Sequence, residues 1–311
     1  MMSEILFLQP KFQERIWGGT RLRDHFGYDI PSEQTGECWA ISAHANGDCQ
    51  ISNGTYEGKT LSWLWENHRE LFGNISGDRF PLLTKILDAK DDLSVQVHPG
   101  DDYAKEFENG ELGKTECWYI IDCEEDAELI IGHHAKSKEE MTDMIASGNW
   151  QQLLRKVKIK PGDFFFIPAG TIHAIGKGTM ILETQQSSDV TYRVYDYDRL
   201  QDGKPRELHI EKSIAVSTVP HEDYSNSYKV HTMEQAEVTR LVESKYFTVY
   251  KTEISGKQLF RNSHPFVLVS VLEGTGKIDG VAIDKGQHFI IPSGYEQYTI
   301  EGNVKLIVSH I

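Results

Sequence analysis

The sequence predicts a mainly β protein made of two β units, with a few helices inserted between the strands. Two observations predict this class: short apolar runs recur along the chain, and one strand-turn-strand pattern occurs twice. Runs rich in β-branched or aromatic residues and bounded by Gly, Pro, Asn or Asp are typical of strands. Four such runs span residues 129–132, 164–168, 266–272 and 289–292.

Helical periodicity is confined to a few segments. Residues 60–71 begin with Thr60 as a helix cap, and apolar residues follow at helical spacing. Residues 137–154 begin with a capping box, in which Ser137 precedes Glu140 by three positions. A short third helix is expected after residue 100. The sequence therefore predicts helical insertions at about residues 58–72, 100–110 and 137–155.

An internal repeat supports the two β units. Residues 162–173 and 286–297 share the pattern G-x5-P-x-G-x2, which ends on His173 in the first copy and on Gln297 in the second. The first Gly turns the chain into a strand, and the Pro ends it where a missing N–H is tolerated. The second Gly permits a backbone conformation closed to other residues. The last position then points a side chain inward from the next strand.

This pattern resembles the second conserved motif of the cupins, which are small β-barrels of the jelly-roll type. The resemblance implies two cupin β-barrels with α-helical insertions. We expect a catalytic barrel within residues 1–224 and a C-terminal cupin-like barrel within residues 225–311, joined at the polar segment 221–230. Because Gln297 stands where a metal-binding His would stand, the second barrel is expected to carry no metal.

Length and charge restrict the possible partners. The chain has 311 residues, of which 39% are hydrophobic, which suffices for one large core or two moderate ones. Its formal net charge is -15, so nucleic acid and anionic membranes are not expected as partners. A phosphorylated substrate would need a local cationic pocket within this acidic surface. The sequence makes no prediction of the oligomeric state.

The sequence also predicts a cytoplasmic location. No basic region followed by an apolar run opens the chain, and no apolar stretch approaches the ~20 residues of a membrane helix. The four cysteines include no C-x-x-C pair and are too sparse for a disulfide scaffold. We expect reduced thiols.

Four side chains are candidate metal ligands. Gln96 and His98 alternate on one face of a predicted strand, so both point to the same side. Glu116 begins an apolar strand, and His173 ends the first repeat. Each feature alone is ambiguous, because a hydrogen-bonded His or a paired carboxylate would look the same. Together they supply two imidazole nitrogens, a carboxylate oxygen and an amide oxygen, a set that suits Zn²⁺.

The same residues resemble those of the type I phosphomannose isomerases, and the matching segments cover nearly the whole chain. The resemblance implies that Gln96, His98, Glu116 and His173 bind one zinc ion and that Arg193 acts in catalysis. It also implies an aldose–ketose isomerase that interconverts D-mannose 6-phosphate and D-fructose 6-phosphate through an enediol. The matching segments are residues 14–19, 83–87 with 93–99, 114–116, 168–174 and 188–193.

The general base has two candidates. Glu183 lies on an apolar strand whose alternation could aim it into the barrel, and Lys114 could exchange protons if it is desolvated beside the metal. We favour Glu183, although it could instead orient a zinc ligand or Arg193. Arginine keeps its proton too strongly to be the expected base.

The phosphate group requires cations at one end of the cleft. Candidates are Lys85, which is flanked by apolar residues, with Lys114, Arg193 and Arg199. Arg199 lies among aspartates, so a surface charge is the favoured explanation for it. The pair Glu37 and Cys38 echoes Glu116 and Cys117, which would place Glu37 near the site or mark a second equivalent strand.

Two other functions are also compatible with the sequence. A different metal-dependent cupin enzyme, such as a non-haem iron oxygenase, would use a His-x-His pair, and Gln96 argues against that chemistry. A non-catalytic sugar-binding or regulatory cupin would be expected to lose the ligand set, as the second repeat does at Gln297.

Overall fold

The computed structural model describes residues 4–225 and 227–311, and this part of the chain is mainly β, as predicted. Two short 3₁₀ helices, Gly54–Tyr56 and Arg69–Phe72, accompany the regular elements. The first elements are β1 (Leu6–Gln9), β2 (Lys11–Gly19), α1 (Arg21–Phe26), β3 (Thr35–Ile41), β4 (Gln50–Ile51), α2 (Leu61–Asn67), β5 (Leu82–Ala89), β6 (Val95–Val97), α3 (Asp101–Phe107), β7 (Glu116–Cys123), β8 (Glu128–His133), α4 (Lys138–Ala146) and α5 (Trp150–Leu153).

The remaining elements complete the first unit and form the second. They are β9 (Leu154–Lys158), β10 (Phe164–Ile167), β11 (His173–Ile175), β12 (Thr179–Gln186), β13 (Tyr192–Tyr195), β14 (Leu200–Gln201), β15 (Lys204–Pro205), α6 (Ile210–Val216), β16 (Lys229–Thr232), β17 (Ala236–Glu243), β18 (Thr248–Arg261), β19 (Val267–Ile278), β20 (Val281–Asp284), β21 (His288–Ile291) and β22 (Gln297–His310).

Two antiparallel sheets form the sandwich of the N-terminal unit. One sheet has the order β10-β7-β12-β5-β3-β2, and the other has the order β13-β6-β11-β8-β9. A shared apolar layer joins them, with Trp118 and Ile181 of the first sheet packed against Leu129, Ile131 and Ile175 of the second. The space between these sheets is where the predicted site residues lie.

The predicted cupin architecture is confirmed, and its sheets form an open sandwich and not a closed barrel. Among the described strands, the edge strands β2 and β10 do not pair with β9 or β13. Closure requires a continuous hydrogen-bonded register around the whole circumference. No described strand of one sheet pairs with a strand of the other, so the cupin architecture takes the form of a β sandwich.

The C-terminal unit is built on a larger sheet that the first strand of the chain also joins. Its order is β16-β17-β18-β22-β19-β21-β1-β4, with β20 paired to β19. Leu6 of β1 is the partner of Ile290 of β21. The division of the chain near residue 225 stays a prediction, and β1 crosses it to pair with the second unit.

An aromatic cluster gives the two units a common core. Phe72 and Phe80 of the N-terminal unit each contact Phe266 of the C-terminal unit, with ring centroids 5.5 and 5.3 Å apart. Trp65 packs against both Phe72 and Phe80. Such aromatic contacts bury large apolar areas, so the two units are held as one body.

The helix caps are confirmed, whereas two helices are shorter than predicted. The side chains of Thr60 and Ser137 each accept a backbone N–H three residues later. The first helix nevertheless ends at Asn67 and continues only as a 3₁₀ turn. The second is divided because Gly148 adopts a φ of 67°, a left-handed conformation that ends a helix.

Within the described residues, every helix falls short of the length or apolar character that would carry it across a lipid bilayer.

Candidate active site

Three buried side chains converge between the two sheets. His98 follows β6, Glu116 begins β7 and His173 begins β11. Each is at most 1% exposed. One oxygen of Glu116 lies 3.4 Å from Nε2 of His98, and the other lies 3.4 Å from Nε2 of His173. The candidate ligand atoms all lie within 4.8 Å of one another.

The backbone fixes how the two imidazoles face the carboxylate. Nδ1 of His98 lies 2.8 Å from the carbonyl of Val190, and Nδ1 of His173 lies 2.9 Å from the carbonyl of Thr171. A carbonyl only accepts, so each Nδ1 carries the proton and each Nε2 presents a lone pair. Burial lowers the pKa of both histidines, that of His98 to about 3, so both rings are neutral.

Two lone pairs therefore point toward a buried carboxylate, an arrangement that requires a cation. Neutral imidazole Nε2 atoms and a carboxylate oxygen are ordinary ligands of divalent transition metals, and the carbonyls behind the rings are the usual orienting partners. The three side chains thus fit a metal ion. In the present structure the ammonium of Lys114 supplies positive charge there, 3.0 Å from Glu116 and 3.2 Å from His98 Nε2.

Gln96 joins this cluster through strand register. It is the Cα partner of His173 across β6 and β11, and its Nε2 lies 3.3 Å from Nε2 of His173. The two ends of an amide are exchanged by a half-turn, which would present the oxygen instead. The four predicted ligands are therefore brought together, three as a tight cluster and the amide beside it.

Lys114 and Glu116 stabilise each other's charge. Burial alone would lower the pKa of Lys114, but the carboxylates of Glu116 and Glu183 raise it above its ordinary value. Burial alone would raise the pKa of Glu116, but Lys114 and the two histidines hold it well below its usual range. Lys114 is thus an ammonium and Glu116 a carboxylate at neutral pH.

A row of side chains crosses the sheet that also carries Glu116. Glu183 is the Cα partner of Trp118 on one side and of Lys85 on the other, and Lys85 is the partner of Trp39. Because directly opposite residues share a face, all four point into the sandwich. Trp118 Nε1 donates to Glu183 at 3.2 Å, and Lys85 Nζ lies 3.8 Å from Glu183 Oε1.

Glu183 has the pKa of a group that can exchange protons near neutrality. Burial raises the pKa of its carboxyl to about 7, and the nearby Glu116 charge adds to the effect. Lys114 and Lys85 oppose the increase. Oε1 of Glu183 is buried and has no hydrogen-bond partner among the described residues, and Lys85 Nζ lies 3.8 Å from it.

Glu37 is a buried carboxylate whose place the sequence left open. Arg15 donates to both of its oxygens, at 3.0 and 3.1 Å, and Trp39 Nε1 donates at 2.6 Å. Lys85 Nζ lies 4.0 Å away. Glu37 lies two positions before Trp39 on β3 and so shares its face, beside the row. The strands β3 and β7, which carry the two similar segments, belong to one sheet.

Arg193 lies on the metal-cluster side of the sandwich. Its Cα partner is Gln96, so the strands β13, β6 and β11 align Arg193, Gln96 and His173 in one row. Nε contacts Ser94 Oγ at 3.3 Å, and Nη1 donates to the carbonyl of Glu207 at 2.8 Å. The half-buried guanidinium is therefore held by uncharged groups and keeps its positive charge.

Arg199 is held by a different set of contacts. Its Nη2 donates to Asp196 at 2.6 Å, and Nη1 donates to the carbonyl of Asp92. Arg206 bonds the same carboxylate of Asp196 at 2.5 and 2.7 Å. Strong bonds within this cluster leave less of the Arg199 guanidinium for a substrate, and its predicted role stays a prediction.

Comparisons with known proteins agree with this geometry. Residues 5–132 match the family model for the catalytic domain of type I phosphomannose isomerase, and residues 237–311 match that for the cupin domain of mannose-6-phosphate isomerase. The chain is 57% identical to mannose-6-phosphate isomerase ManA of Bacillus subtilis over the full length of both. It is 55% identical to mannose-6-phosphate isomerase of Streptococcus mutans over 99% of each chain.

Solved structures show the same relationship. The crystal structure of mannose 6-phosphate isomerase from Bacillus subtilis superposes with a TM-score of 0.97 at 55% identity, covering 99% of this chain and 100% of that one. A variant of phosphomannose isomerase from Salmonella typhimurium, at 16% identity and a TM-score of 0.81, shows the shared fold alone.

The sandwich and the buried His–Glu–His cluster define a cupin with a candidate metal centre between its sheets. More than half of the residues are identical to those of known mannose-6-phosphate isomerases over nearly the full length, which identifies the family. The chain belongs to the type I mannose-6-phosphate isomerase family.

Proposed function

We propose that this protein is a zinc-dependent isomerase that interconverts D-mannose 6-phosphate and D-fructose 6-phosphate through an enediol. The observation that carries the proposal is that a metal-type cluster and a carboxylate of raised pKa lie within one sandwich. His98, Glu116 and His173, with the amide of Gln96, would hold one zinc ion per chain. When bound, that ion supplies Lewis-acid polarisation of the sugar oxygens.

Glu183 is the proposed general base. A base that removes a carbon-bound proton works best when its pKa lies near the working pH, and burial brings the pKa of Glu183 to about 7. Trp118 holds one carboxylate oxygen and leaves Oε1 toward the interior. The carboxylate can take the proton from C2 of the aldose and return it to C1. The hydroxyl proton of O2 moves to O1 in the same conversion, which makes the ketose.

Lys114 is proposed to stabilise charge rather than to act as the base. The carboxylates around Lys114 raise its pKa, so it holds its proton and cannot accept another. An ammonium 3.0 Å from Glu116 can donate to a sugar oxygen as negative charge develops on it. Lys85, which lies between Glu183 and Glu37, is proposed to stabilise negative charge in the same way beside the reacting carbons.

Arg193 is proposed to bind the substrate and to act in catalysis from the opposite sheet. Its register with Gln96 supports a place beside the metal ligands, and its guanidinium is contacted only by Ser94 Oγ and a carbonyl in the described contacts. A planar fork of donors suits the enediol oxygens or the phosphate. Arg199 stays a second candidate for the phosphate.

The chain is further proposed to act in the cytoplasm on a free sugar phosphate. All four cysteines are present as free thiols, which suits a reducing compartment. The net charge of -15 supports a partner smaller than nucleic acid or membrane. The division into residues 1–224 and 225–311, with metal only in the first part, belongs to the same proposal.

A combined assay and metal analysis tests the function. The purified chain should form fructose 6-phosphate from mannose 6-phosphate in a coupled assay and should contain close to one zinc per chain. In D₂O, an enediol route exchanges the transferred hydrogen with solvent, so the product should carry deuterium at C1. Glucose 6-phosphate, tested in parallel as the C2 epimer, measures specificity. A zinc-loaded chain without turnover of mannose 6-phosphate would contradict the proposal.

A further inference from the structure

Arg193, the proposed catalytic arginine, is held by a segment that follows it in the chain and packs against its strand. Its Nη1 donates to the carbonyl of Glu207 at 2.8 Å. Its backbone N–H donates to Nδ1 of His209 at 3.1 Å, and the backbone N–H of His209 donates to the carbonyl of Arg193 at 2.8 Å. The direction of the guanidinium therefore depends on where residues 206–209 lie.

The two ends of this segment are held in different ways. At its C-terminal end α6 begins, and Ile210 and Ile214 of that helix pack against the apolar cluster that contains Tyr192 and Val194 of β13. At its N-terminal end lies the hairpin of β14 and β15, whose four residues are all exposed. Because this hairpin buries no apolar strand residue, polar contacts must hold the N-terminal end of the segment.

The carboxylate of Asp196 provides those contacts. Asp196 follows β13 directly and is 5% exposed. Arg206 donates to both of its oxygens, at 2.5 and 2.7 Å, and Arg199 donates to one of them at 2.6 Å. A bidentate pair of guanidinium and carboxylate fixes direction as well as distance. Since Arg206 directly precedes Glu207, this pair sets the position of the carbonyl that accepts from Arg193.

The same carboxylate balances the charge around Arg193. Burial and the nearby charge of Arg206 lower the pKa of Arg193, and the charge of Asp196 opposes them. Arg199 also lies near enough to lower that pKa. Without the carboxylate, three guanidinium groups would repel one another in a partly buried place. Asp196 thus acts on Arg193 both through the position of residues 206–209 and through its charge.

We propose that Asp196 is a positioning residue of the isomerase site: through its pair with Arg206, it directs the guanidinium of Arg193 at the substrate. This inference rests on the proposed function, because the direction of Arg193 matters for turnover only if Arg193 contacts the sugar phosphate. The oxygens of Asp196 are occupied by two other guanidinium groups. Its effect on turnover is therefore transmitted by Arg193 and stays below the effect of losing the Arg193 fork itself.

A double-mutant cycle in the full-length protein with zinc bound tests this transmission. Arg206→Met removes the pair and keeps an unbranched side chain. We expect it to lower kcat/KM about tenfold, the ratio that one charge-assisted hydrogen bond supplies. In the background of Arg193→Lys, where the planar fork is already lost, the same substitution should cost less than about twofold. A residue that only supported the fold would cost the same factor in both backgrounds.

Three further variants define the contribution of the pair. Arg206→Lys can keep one bond to the carboxylate and should recover part of the loss. Asp196→Asn leaves a single acceptor oxygen for two guanidinium groups, so it should lose at least as much as Arg206→Met. Arg155→Met is the matched control, since Arg155 is paired with Asp223 at 2.5 Å on the opposite edge of the same sheet. It should keep kcat/KM, and all of these variants should keep bound zinc.

Hydrogen exchange gives a second readout that does not require turnover. The backbone amides of Arg193 and His209 should exchange at least about tenfold faster in Arg206→Met and Asp196→Asn, because the segment that protects them is released, and β5 should be unchanged.

The proposal is overturned if exchange at both amides is unchanged, if Arg206→Met keeps full kcat/KM, or if it costs the same factor in both backgrounds. A wild-type chain without isomerase activity would instead refute the proposed function. In that case the exchange measurement would still decide whether Asp196 holds Arg193 in place.

Discussion

Lys85 and Glu183 stand directly opposite each other on β5 and β12, with Lys85 Nζ 3.8 Å from Glu183 Oε1. Glu37 lies 4.0 Å from the same ammonium on the other side. One buried cation is thus shared between two carboxylates. The charge of Lys85 lowers the pKa of Glu183, whereas the charge of Glu37 raises it. The charge of Glu37 on β3 therefore affects the proton chemistry proposed for Glu183 on β12.

Replacing Glu183 with Gln should remove the proposed base while keeping the size of the side chain. We expect kcat to fall about 100- to 10,000-fold, the usual contribution of a positioned general base. Bound zinc and melting temperature should change little. Glu125→Gln, the same substitution on an exposed turn, is the control. Retention of full kcat by Glu183→Gln would exclude it as the base.

Glu37→Gln should move the acid limb of the pH profile of kcat/KM to lower pH. The charge of Glu37 helps to raise the pKa of Glu183, and it also competes for Lys85. Removing that charge lowers the pKa of Glu183 by both routes, so the base stays ionised at lower pH. Arg15→Gln, which leaves Lys85 as the main cation beside Glu37, should move the limb the opposite way. An unchanged limb in both variants would refute this coupling.

The metal cluster makes a prediction about stoichiometry. Glu116→Ala, His98→Ala and His173→Ala should each lose bound zinc and nearly all activity, because the remaining lone pairs no longer enclose a cation. Elemental analysis after dialysis measures the loss. His134→Ala, an exposed histidine outside the cluster, should keep both properties. Stoichiometric zinc in a ligand variant would show that the ligand is wrongly assigned.

Arg193 and Arg199 should respond differently to substitution. Arg193→Lys keeps the charge but loses the planar fork, and we expect kcat/KM to fall at least about 100-fold, as when one preorganised donor is lost. Arg199→Lys should have a smaller effect, because Arg206 still bonds Asp196. Steady-state kinetics at saturating zinc compare the two. Equal losses would place Arg199 in the substrate site.

The buried contact between the two units should make the protein sensitive to acid. His288 is bonded to Tyr28 and Ser270 and is fully enclosed, and burial lowers its pKa from 6.5 to about 3. Between these values the unfolded chain binds a proton that the folded chain does not. Stability should therefore fall as pH falls below about 6.5, by up to about 1.4 kcal/mol per pH unit from this residue.

Urea unfolding at several pH values tests this contribution of His288 to stability. His288→Gln should be less stable than the wild-type protein at pH 7, because packing and hydrogen bonds are lost, but its stability should fall less steeply toward pH 4. His231→Gln, at an exposed position, should keep the wild-type slope. Parallel slopes for all three proteins would rule out His288 as the source.

The sequence predicted correctly those features that depend on interactions between residues close together in the chain. Thr60 and Ser137 cap helices because their hydroxyls reach a backbone N–H three residues away, and that spacing is visible in the chain. Helix lengths were predicted less well. A 3₁₀ turn and a left-handed Gly148 end the regular segments, and packing against the sheets selects those conformations over continued helix.

The sequence by itself determined the mainly β class, the repeat, the metal-type residues and the family resemblance, since these depend on residue type and on spacing along one strand. Only the tertiary structure decided that Glu37 shares Lys85 with Glu183, that the barrels are open sandwiches, and that β1 pairs with the C-terminal sheet. Those facts depend on register between strands far apart in the chain. Register is set by the packing of whole sheets, which no single segment encodes.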